Sequence, residues 1–454
     1  MEAIAAINKL KVDVTNRQIL SIALPITFSI LIPQINLLIN SIFLGHVSQQ
    51  ALGNAGITGV YYLIFAVAGH GLNNAMQTVF SKNAGAGQHH NFKIILAQGI
   101  RISLIFAMVG IAFTLLLAPS ILLHIAAPAA YPQEIAFLKV RIWGLPFLYL
   151  FQMGNAFLIA SLNSKYLIIA FIFEASVNIL FDYLLIFGHG GFAAMGFQGT
   201  AVASVIAEFA GMSIVLIVLI STGLKKQYGL LQSIAYHRQI SNQIIKISLP
   251  LVGQYVISVT TWLIFFLLLE GRGEVAKAIS NIMRNVFGLA GVFAWAFAAT
   301  SNTMVGNLMG QKREAEVMPA IYKIMYWSMG FCIVPVVILN LMPELFFSLF
   351  QQNSSFIAEG TSVIRMVSLG MVLMSMANIW LNGLTGIGQT RVNLAIEIIS
   401  ISLYLGYTWY FMKVHYISLA MAWSNEFVYW SSILLLSFLY IKNGRWQSKQ
   451  LSTK

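Results

Sequence analysis

The chain has 454 residues, 58% of them hydrophobic and only 9% charged. Soluble globular chains carry about 25% charged residues, so a water-soluble multidomain protein is excluded. A net charge of +12 would suit nucleic acid if it formed one patch, but the basic residues are dispersed between apolar runs.

Twelve apolar runs follow in chain order, at 18–43, 54–80, 94–117, 137–160, 166–188, 199–221, 243–268, 279–305, 320–343, 362–384, 393–413 and 417–441. Each has about 20 residues or more, enough for a helix to cross about 30 Å of hydrocarbon. They lack the alternation of barrel strands. A helix satisfies its own backbone hydrogen bonds, as a segment in lipid must. The fold class expected is therefore an all-α membrane protein with twelve transmembrane helices. The first run is longer than the core of a cleavable signal peptide, and no clean small-residue cleavage site follows it, so it reads as a membrane span. The single Cys332 cannot form an internal disulfide.

Most Lys and Arg fall at the termini or in the even-numbered loops: Lys9, Lys11 and Arg17; Lys82, Lys93 and Arg101; Lys165; Lys225, Lys226, Arg238 and Lys246; Lys312, Arg313 and Lys323; Arg391; and Lys442, Arg445, Lys449 and Lys454. The odd-numbered loops hold Lys139, Arg141, Arg272, Lys277, Arg365 and Lys413, and Arg284 lies inside a span. Positive loops mark the cytoplasmic face, so both termini are expected inside, as an even number of spans requires.

The chain repeats itself. "QILSIALPITFSI" (18–30) aligns with "QIIKISLPLVGQY" (243–255), a shift of 225 (250 − 25) that also carries Ala51 onto Ala276, Thr78 onto Thr303 and Gly85 onto Gly310. Each copy holds an even number of spans, so the copies run the same way through the membrane. The expected organisation is an N-terminal six-helix lobe (1–222), a basic cytoplasmic linker (223–242) and a C-terminal six-helix lobe (243–454). Two such lobes can rock about a central cavity, the geometry of alternating access.

Polar residues inside spans are the functional candidates. Glu174, Asn178 and Asp182 recur every four residues, on one helix face. Burial disfavours a charged carboxylate and a bound cation favours it, so such a group can exchange a proton for sodium. The alternative is a neutral carboxyl bonded to a neighbouring helix. Glu397 is open to the same two readings. His70 either senses protons, touches substrate, or bonds a backbone carbonyl as a neutral histidine. Glu208 and Glu426 occupy equivalent places in the two halves, which suggests a clasp between helices. Arg284 is expected to snorkel or to pair with Glu270 or Glu274. Pro25 and Pro33 permit a bend in the first span. No phosphate-binding G-x-x-x-x-G-K-[ST] loop and no H-E-x-x-H are present. The chain is therefore expected not to be an enzyme, and an ion gradient is the simplest energy source.

Several stretches, taken together, carry a resemblance: "ALPITFSILIPQINLLINSIFLGHVSQQAL" (23–52), "NAGAGQ" (83–88), "RIWGLPF" (141–147), "NILFDYLLIFG" (178–188) and "NLMGQKRE" (307–314). In order and in both halves, the chain resembles the multidrug and toxic compound extrusion (MATE) family. The resemblance implies a secondary antiporter with two six-helix lobes, exporting amphipathic and often cationic organic compounds against an inward sodium or proton gradient. It implies no cofactor beyond sodium or the proton.

Asp182 matches the acid which that family uses in its N-terminal lobe, Asn178 its companion amide, and Thr200 a position that can offer an oxygen. The resemblance thus implies Asp182, Asn178 and Thr200 as sodium ligands. Within "INSIFLG" (39–45) this chain has Asn40 where the family commonly has an aspartate, which leaves one carboxylate; Asn36 lies one turn earlier. Ser258 and Met374 stand where another branch has acids, so coupling is expected in the N-terminal lobe. The competing reading is a flippase for lipid-linked oligosaccharides; such a cargo calls for additional spans or a cavity rich in Arg and Lys, and having only Arg284 assigned to a span argues against it. The expected partners are a small organic substrate and the lipid bilayer, with no nucleic acid. A monomer would suffice, as a multi-pass protein of a bacterial inner membrane.

Overall fold

The computed structural model describes residues 10–125, 128, 130–232, 235–270, 272–348, 354–414, 417–444, 446 and 447. Of the basic residues expected on the cytoplasmic face, Lys9, Arg445, Lys449 and Lys454 lie outside the described residues.

Among the described residues, twelve long helices carry the fold. They are α1 (Asn16–Val47), α2 (Gln49–Gly85), α3 (Phe92–Ile125), α4 (Tyr131–Ala160), α5 (Lys165–Phe187) and α6 (Phe197–Ser221), then α7 (Arg238–Glu270), α8 (Glu274–Gly310), α9 (Val317–Leu341), α10 (Ser354–Ile387), α11 (Thr390–Trp409) and α12 (Asn425–Lys442). Helix α4 passes through a 3-10 turn at Ile142–Gly144. Helix α1 runs unbroken through Pro25 and Pro33. Among the described residues, 11 helices are long and apolar enough to cross a membrane by length and composition. Helix α12, with 18 residues, is the shortest of the twelve, and it carries Asn425 and Glu426 at its start and Lys442 at its end. Large apolar side chains face outward, such as Val109 at 64% and Leu116 at 74% exposure on α3. Lipid, not water, tolerates such a surface.

The repeat is visible in the elements themselves. Helices α2 and α8 have 37 residues each and start 225 positions apart (274 − 49). The 3-10 turns at His89–Asn91 and Glu314–Glu316 follow with the same offset. The turn before each is left-handed, at Gly87 (φ 73°) in one copy and Lys312 (φ 62°) in the other. Glycine adopts that conformation at no steric cost and lysine does not, so the second copy holds the turn under strain.

The chain forms two compact units. One holds Phe28–Val252; the other holds Gly253–Lys454 together with Lys11–Thr27. In the first unit, Leu44, Leu122, Leu138 and Phe197 pack one core, where Phe137 stacks on Phe197 at 4.5 Å. A second aromatic group, Phe80, Phe92 and Phe157, receives Tyr228 of the linker. In the second unit, Phe265, Phe287, Tyr404 and Trp423 belong to a core that joins α7, α8 and α11 to the segment before α12.

The extended segment before α1 is held by the second unit. Asn307 Oδ1 accepts from Val12 N at 3.1 Å, and Val12 O accepts from Gln311 Nε2 at 2.9 Å. Arg313 reaches Asp13 at 3.0 Å, and Lys323 Nζ donates to Val14 O at 2.9 Å. The loop "NLMGQKRE" is therefore structural, because its polar side chains satisfy the backbone of a segment that has no helix of its own.

Candidate functional site

Asp182 lies on the last two turns of α5, which ends at Gly188 with the amide donating to Leu184 O. Its side chain is 1% exposed, so it points neither at lipid nor at bulk water. Neither carboxylate oxygen has a hydrogen-bond partner among the described residues. One turn earlier, buried Asn178 accepts at Oδ1 from Asn36 Nδ2 at 2.8 Å. Asn36 Oδ1 and Asn178 Nδ2 are both buried without a partner among the described residues.

Two contacts fix the register of α1 against α5. Asn36 meets Asn178, and further along Phe43 meets Phe187, ring centroids 5.8 Å apart. The contacts come in the same order on both helices, so the helices run parallel. Asn40 and Asp182 each stand four residues beyond the asparagine pair, about 6 Å further along the axis. They occupy the same level. Asn40 is half-buried.

Helix α6 packs against the same end of α5. A Cβ on Gly199 would lie 2.9 Å from the Leu185 carbonyl group, so only glycine lets the two backbones approach here. The neighbouring Thr200 is buried, and its hydroxyl donates to Phe197 O of its own helix at 2.9 Å. Its oxygen retains a free lone pair but is not bonded to Asp182. We expect Gly199→Val to push α6 off α5 and cost roughly 1–3 kcal/mol, as overpacking does. Thermal unfolding of the purified protein in detergent checks this; an unchanged midpoint would refute the close approach.

The structure thus brings Asn36, Asn178, Asn40, Asp182 and Thr200 to one end of α5. The other candidates have different surroundings. Glu174, two turns back along α5, packs against Gly211, whose added Cβ would be 2.9 Å from its Oε2. His70 on α2 is exposed. Glu397, on α11 in the second unit, is 1% exposed. It accepts from Tyr429 Oη at 2.5 Å and Gln254 Nε2 at 3.4 Å. Arg284 is exposed, with its guanidinium 5.9 Å from the Phe266 ring centroid. The side chains of Glu270 and Glu274, its expected partners, lie outside the described residues.

The clasp expected from Glu208 and Glu426 is real in both halves, but it differs in kind. Glu208 receives Arg141 Nη1 at 2.8 Å and Nη2 at 2.6 Å, and Tyr62 Oη at 2.9 Å. The guanidinium also lies 3.6 Å from the Tyr62 ring centroid. Arg141 is therefore not a loop charge but half of a largely buried ion pair joining α2, α4 and α6. Glu426 receives Trp430 Nε1 at 2.9 Å and Tyr404 Oη at 3.4 Å. Arg365, which aligns with Arg141 at a shift of 224 (365 − 141), is exposed and forms no ion pair among the described residues. Sequence equivalence found both acids, but only packing assigns their partners.

As a monovalent-cation site the Asp182 group fits in donor chemistry. Sodium takes oxygen ligands. Two carboxylate oxygens, Asn36 Oδ1 and the Thr200 hydroxyl supply them, and one carboxylate balances one positive charge. Among the described residues no cluster of three or more His, Cys, Asp and Glu exists that would hold a transition metal.

Comparison with known proteins agrees with the repeat. The MatE family profile matches residues 25–184 and 250–409, two stretches offset by 225 residues (250 − 25). The chain is 22% identical over 454 residues to a probable multidrug resistance protein NorM of Thermotoga maritima, covering 98% of this chain and 96% of the relative. It is 21% identical to the probable multidrug resistance protein NorM of Synechocystis sp., covering 85% of each. Among solved structures it is similar to an outward-facing multidrug resistance MATE family transporter of the MOP superfamily, with a TM-score of 0.84, 17% identity and 99% of each chain covered. With both repeats matched in sequence and the helices in the same arrangement, the chain belongs to the MatE family of multi-pass membrane transporters.

Proposed function

We propose that this transporter is a secondary antiporter that exports amphipathic, often cationic organic compounds in exchange for sodium ions or protons, with Asp182 as the coupling group. The observation that carries the reading is the state of Asp182: a buried carboxyl with neither an ion pair nor a hydrogen-bond donor among the described residues. An ionised carboxylate so placed is costly. Binding a proton or a monovalent cation removes the cost. The relatives named as multidrug resistance proteins support the choice of substrate class.

Coupling follows if the ion prefers one conformation over the other. Sodium or a proton arriving at Asp182 favours one state; its departure favours the other, and the substrate moves with the opposite preference. Both termini face the cytoplasm in this reading, the protein sits in a bacterial inner membrane, and one copy suffices because the two halves supply both lobes.

The test is transport by the purified protein in liposomes, with sodium and pH gradients imposed separately. We expect either gradient that drives exchange to accelerate movement of a lipophilic cation about tenfold or more over protein-free vesicles, a difference of about 1.4 kcal/mol in barrier. Transport indifferent to both gradients, or dependent on nucleotide, would reject the antiport reading.

A further inference from the structure

We infer that Glu397, Tyr429 and Ser258 form a second proton-binding site in the C-terminal half, with the two hydroxyls acting as a wire that loads and unloads the Glu397 carboxyl. The ligand is the proton alone. This site is independent of the role proposed for Asp182, which lies in the other unit.

The protonation state of Glu397 sets the direction of each hydrogen bond. Tyr429 Oη is 2.5 Å from Glu397 Oε1, and a phenol has a single hydrogen to donate. With the carboxylate ionised, that hydrogen points to Glu397. The hydroxyl of Ser258, 3.1 Å from Tyr429 Oη, must then be the donor to Tyr429. With Glu397 protonated, the chain reverses: Glu397 donates to Tyr429, and Tyr429 donates to Ser258. Each hydroxyl accepts one proton and passes on another. One O–H bond forms at Glu397 for each one broken on the incoming hydronium at Ser258, and Tyr429 and Ser258 each end with one hydrogen, as they began, but not the same one.

The fourth member fits both states. Gln254 Nε2 is 3.4 Å from Glu397 Oε2, while its own Oε1 is buried without a partner among the described residues. In both states the amide donates to Oε2, because the one carboxyl proton lies on Oε1 towards Tyr429. The two ends of the wire also differ in access. Glu397 and Gln254 are buried, whereas Tyr429 and Ser258 are partly exposed. The acid is sheltered and its hydroxyl relay reaches the surface of the unit.

The described surroundings hold no fixed positive charge. On α11, Ser400 is buried and its hydroxyl has no partner among the described residues, while Asn393 is bonded to Leu381 O and Thr385 Oγ1 of α10. On α12, the nearest charged group is Glu426, which receives Tyr404 and Trp430; the Tyr404 ring lies 5.7 Å from that of Tyr429. Helix α7 contributes Gln254 and Ser258. Among the described residues no Lys, Arg or His forms an ion pair with Glu397 or Glu426. An ionised Glu397 is stabilised by neutral donors, so protonation changes its local charge without breaking a salt bridge.

The test reads protonation directly, by difference infrared spectroscopy of the purified protein during a pH titration. We expect a carboxylic-acid carbonyl band that converts to carboxylate bands as pH rises. It should vanish in Glu397→Gln and persist in Asp182→Asn. In Tyr429→Phe the band should remain while its exchange with bulk protons after a pH jump slows, by about a hundredfold as for loss of a positioned proton-transfer group. Glutamine still accepts from Tyr429, so Glu397→Gln is expected to fold. Should it fail to, Glu397→Asp, which displaces the band, carries the same assignment. A titrating band set unchanged in Glu397→Gln overturns the site. Unchanged exchange kinetics in Tyr429→Phe overturns the wire.

Discussion

Asp182→Asn is expected to reduce gradient-driven export to the level of protein-free liposomes while the protein remains folded. The substitution keeps the shape of the side chain and removes its capacity for charge. Because neither oxygen of Asp182 has a partner to lose among the described residues, the change in unfolding free energy should stay within about 1 kcal/mol. Asn178 offers the contrast, since its carbonyl holds Asn36 across two helices. Asn178→Ala should weaken both transport and packing, and Asp182→Asn transport alone. Export measured in liposomes under an imposed sodium or proton gradient, with melting followed in parallel, separates the two. A wild-type rate in Asp182→Asn would remove this residue from the coupling mechanism. A ligand shifts a conformational equilibrium only through its differential affinity for the two states. A site unable to change its charge has lost that lever.

The second large effect is expected at the clasp of the first unit. Arg141→Met leaves Glu208 buried with Tyr62 as its remaining donor, and we expect a loss of about 3–5 kcal/mol. The side chains are 13% and 6% exposed, so solvent screening is slight. The bidentate fork and the cation over the Tyr62 ring depend on a planar guanidinium, so Arg141→Lys should not restore the loss. Replacing both partners, as Arg141→Met with Glu208→Met, should recover much of it because no charge is left stranded. Chemical or thermal unfolding of the set in detergent provides the check. Equal destabilisation by the single and the double replacement would mean that the ion pair is not the source. The pair also constrains its neighbour: a Cβ on Gly144 would collide with the Glu208 carboxylate.

In the second unit the equivalent position shows how far a repeat can be trusted. Glu208 and Glu426 are matched by alignment, and both are buried. Arg141 and Arg365 are matched too, yet only the first turns inward. The C-terminal acid is held by Tyr404 and Trp430 instead. The repeat preserves the helix framework and the place of the acid, while the source of its hydrogen bonds is free to change. Glu397 has no acidic counterpart in the first half, and its proton chemistry could not be copied from there.

Much of the architecture was legible from the residues in order. Runs of apolar residues longer than a bilayer is thick specify spanning helices, because no other single segment hides its backbone from lipid. The offset of 225 announced two copies, and the four-residue spacing placed Asn178 and Asp182 on one face. These are local properties, set by the rise and turn of a helix and by the chemistry of neighbours. The partners were not legible. Asn36 meets Asn178 from 142 positions away, Gln254 meets Glu397 from 143, and Asn307 holds Val12 from 295. Which polar side chain faces which depends on the register and rotation of packed helices, and those are settled by the whole set of apolar and close-backbone contacts, as at Gly199. Sequence decided that Asp182 would be inside. Only tertiary structure decided that it would lie there with no described partner.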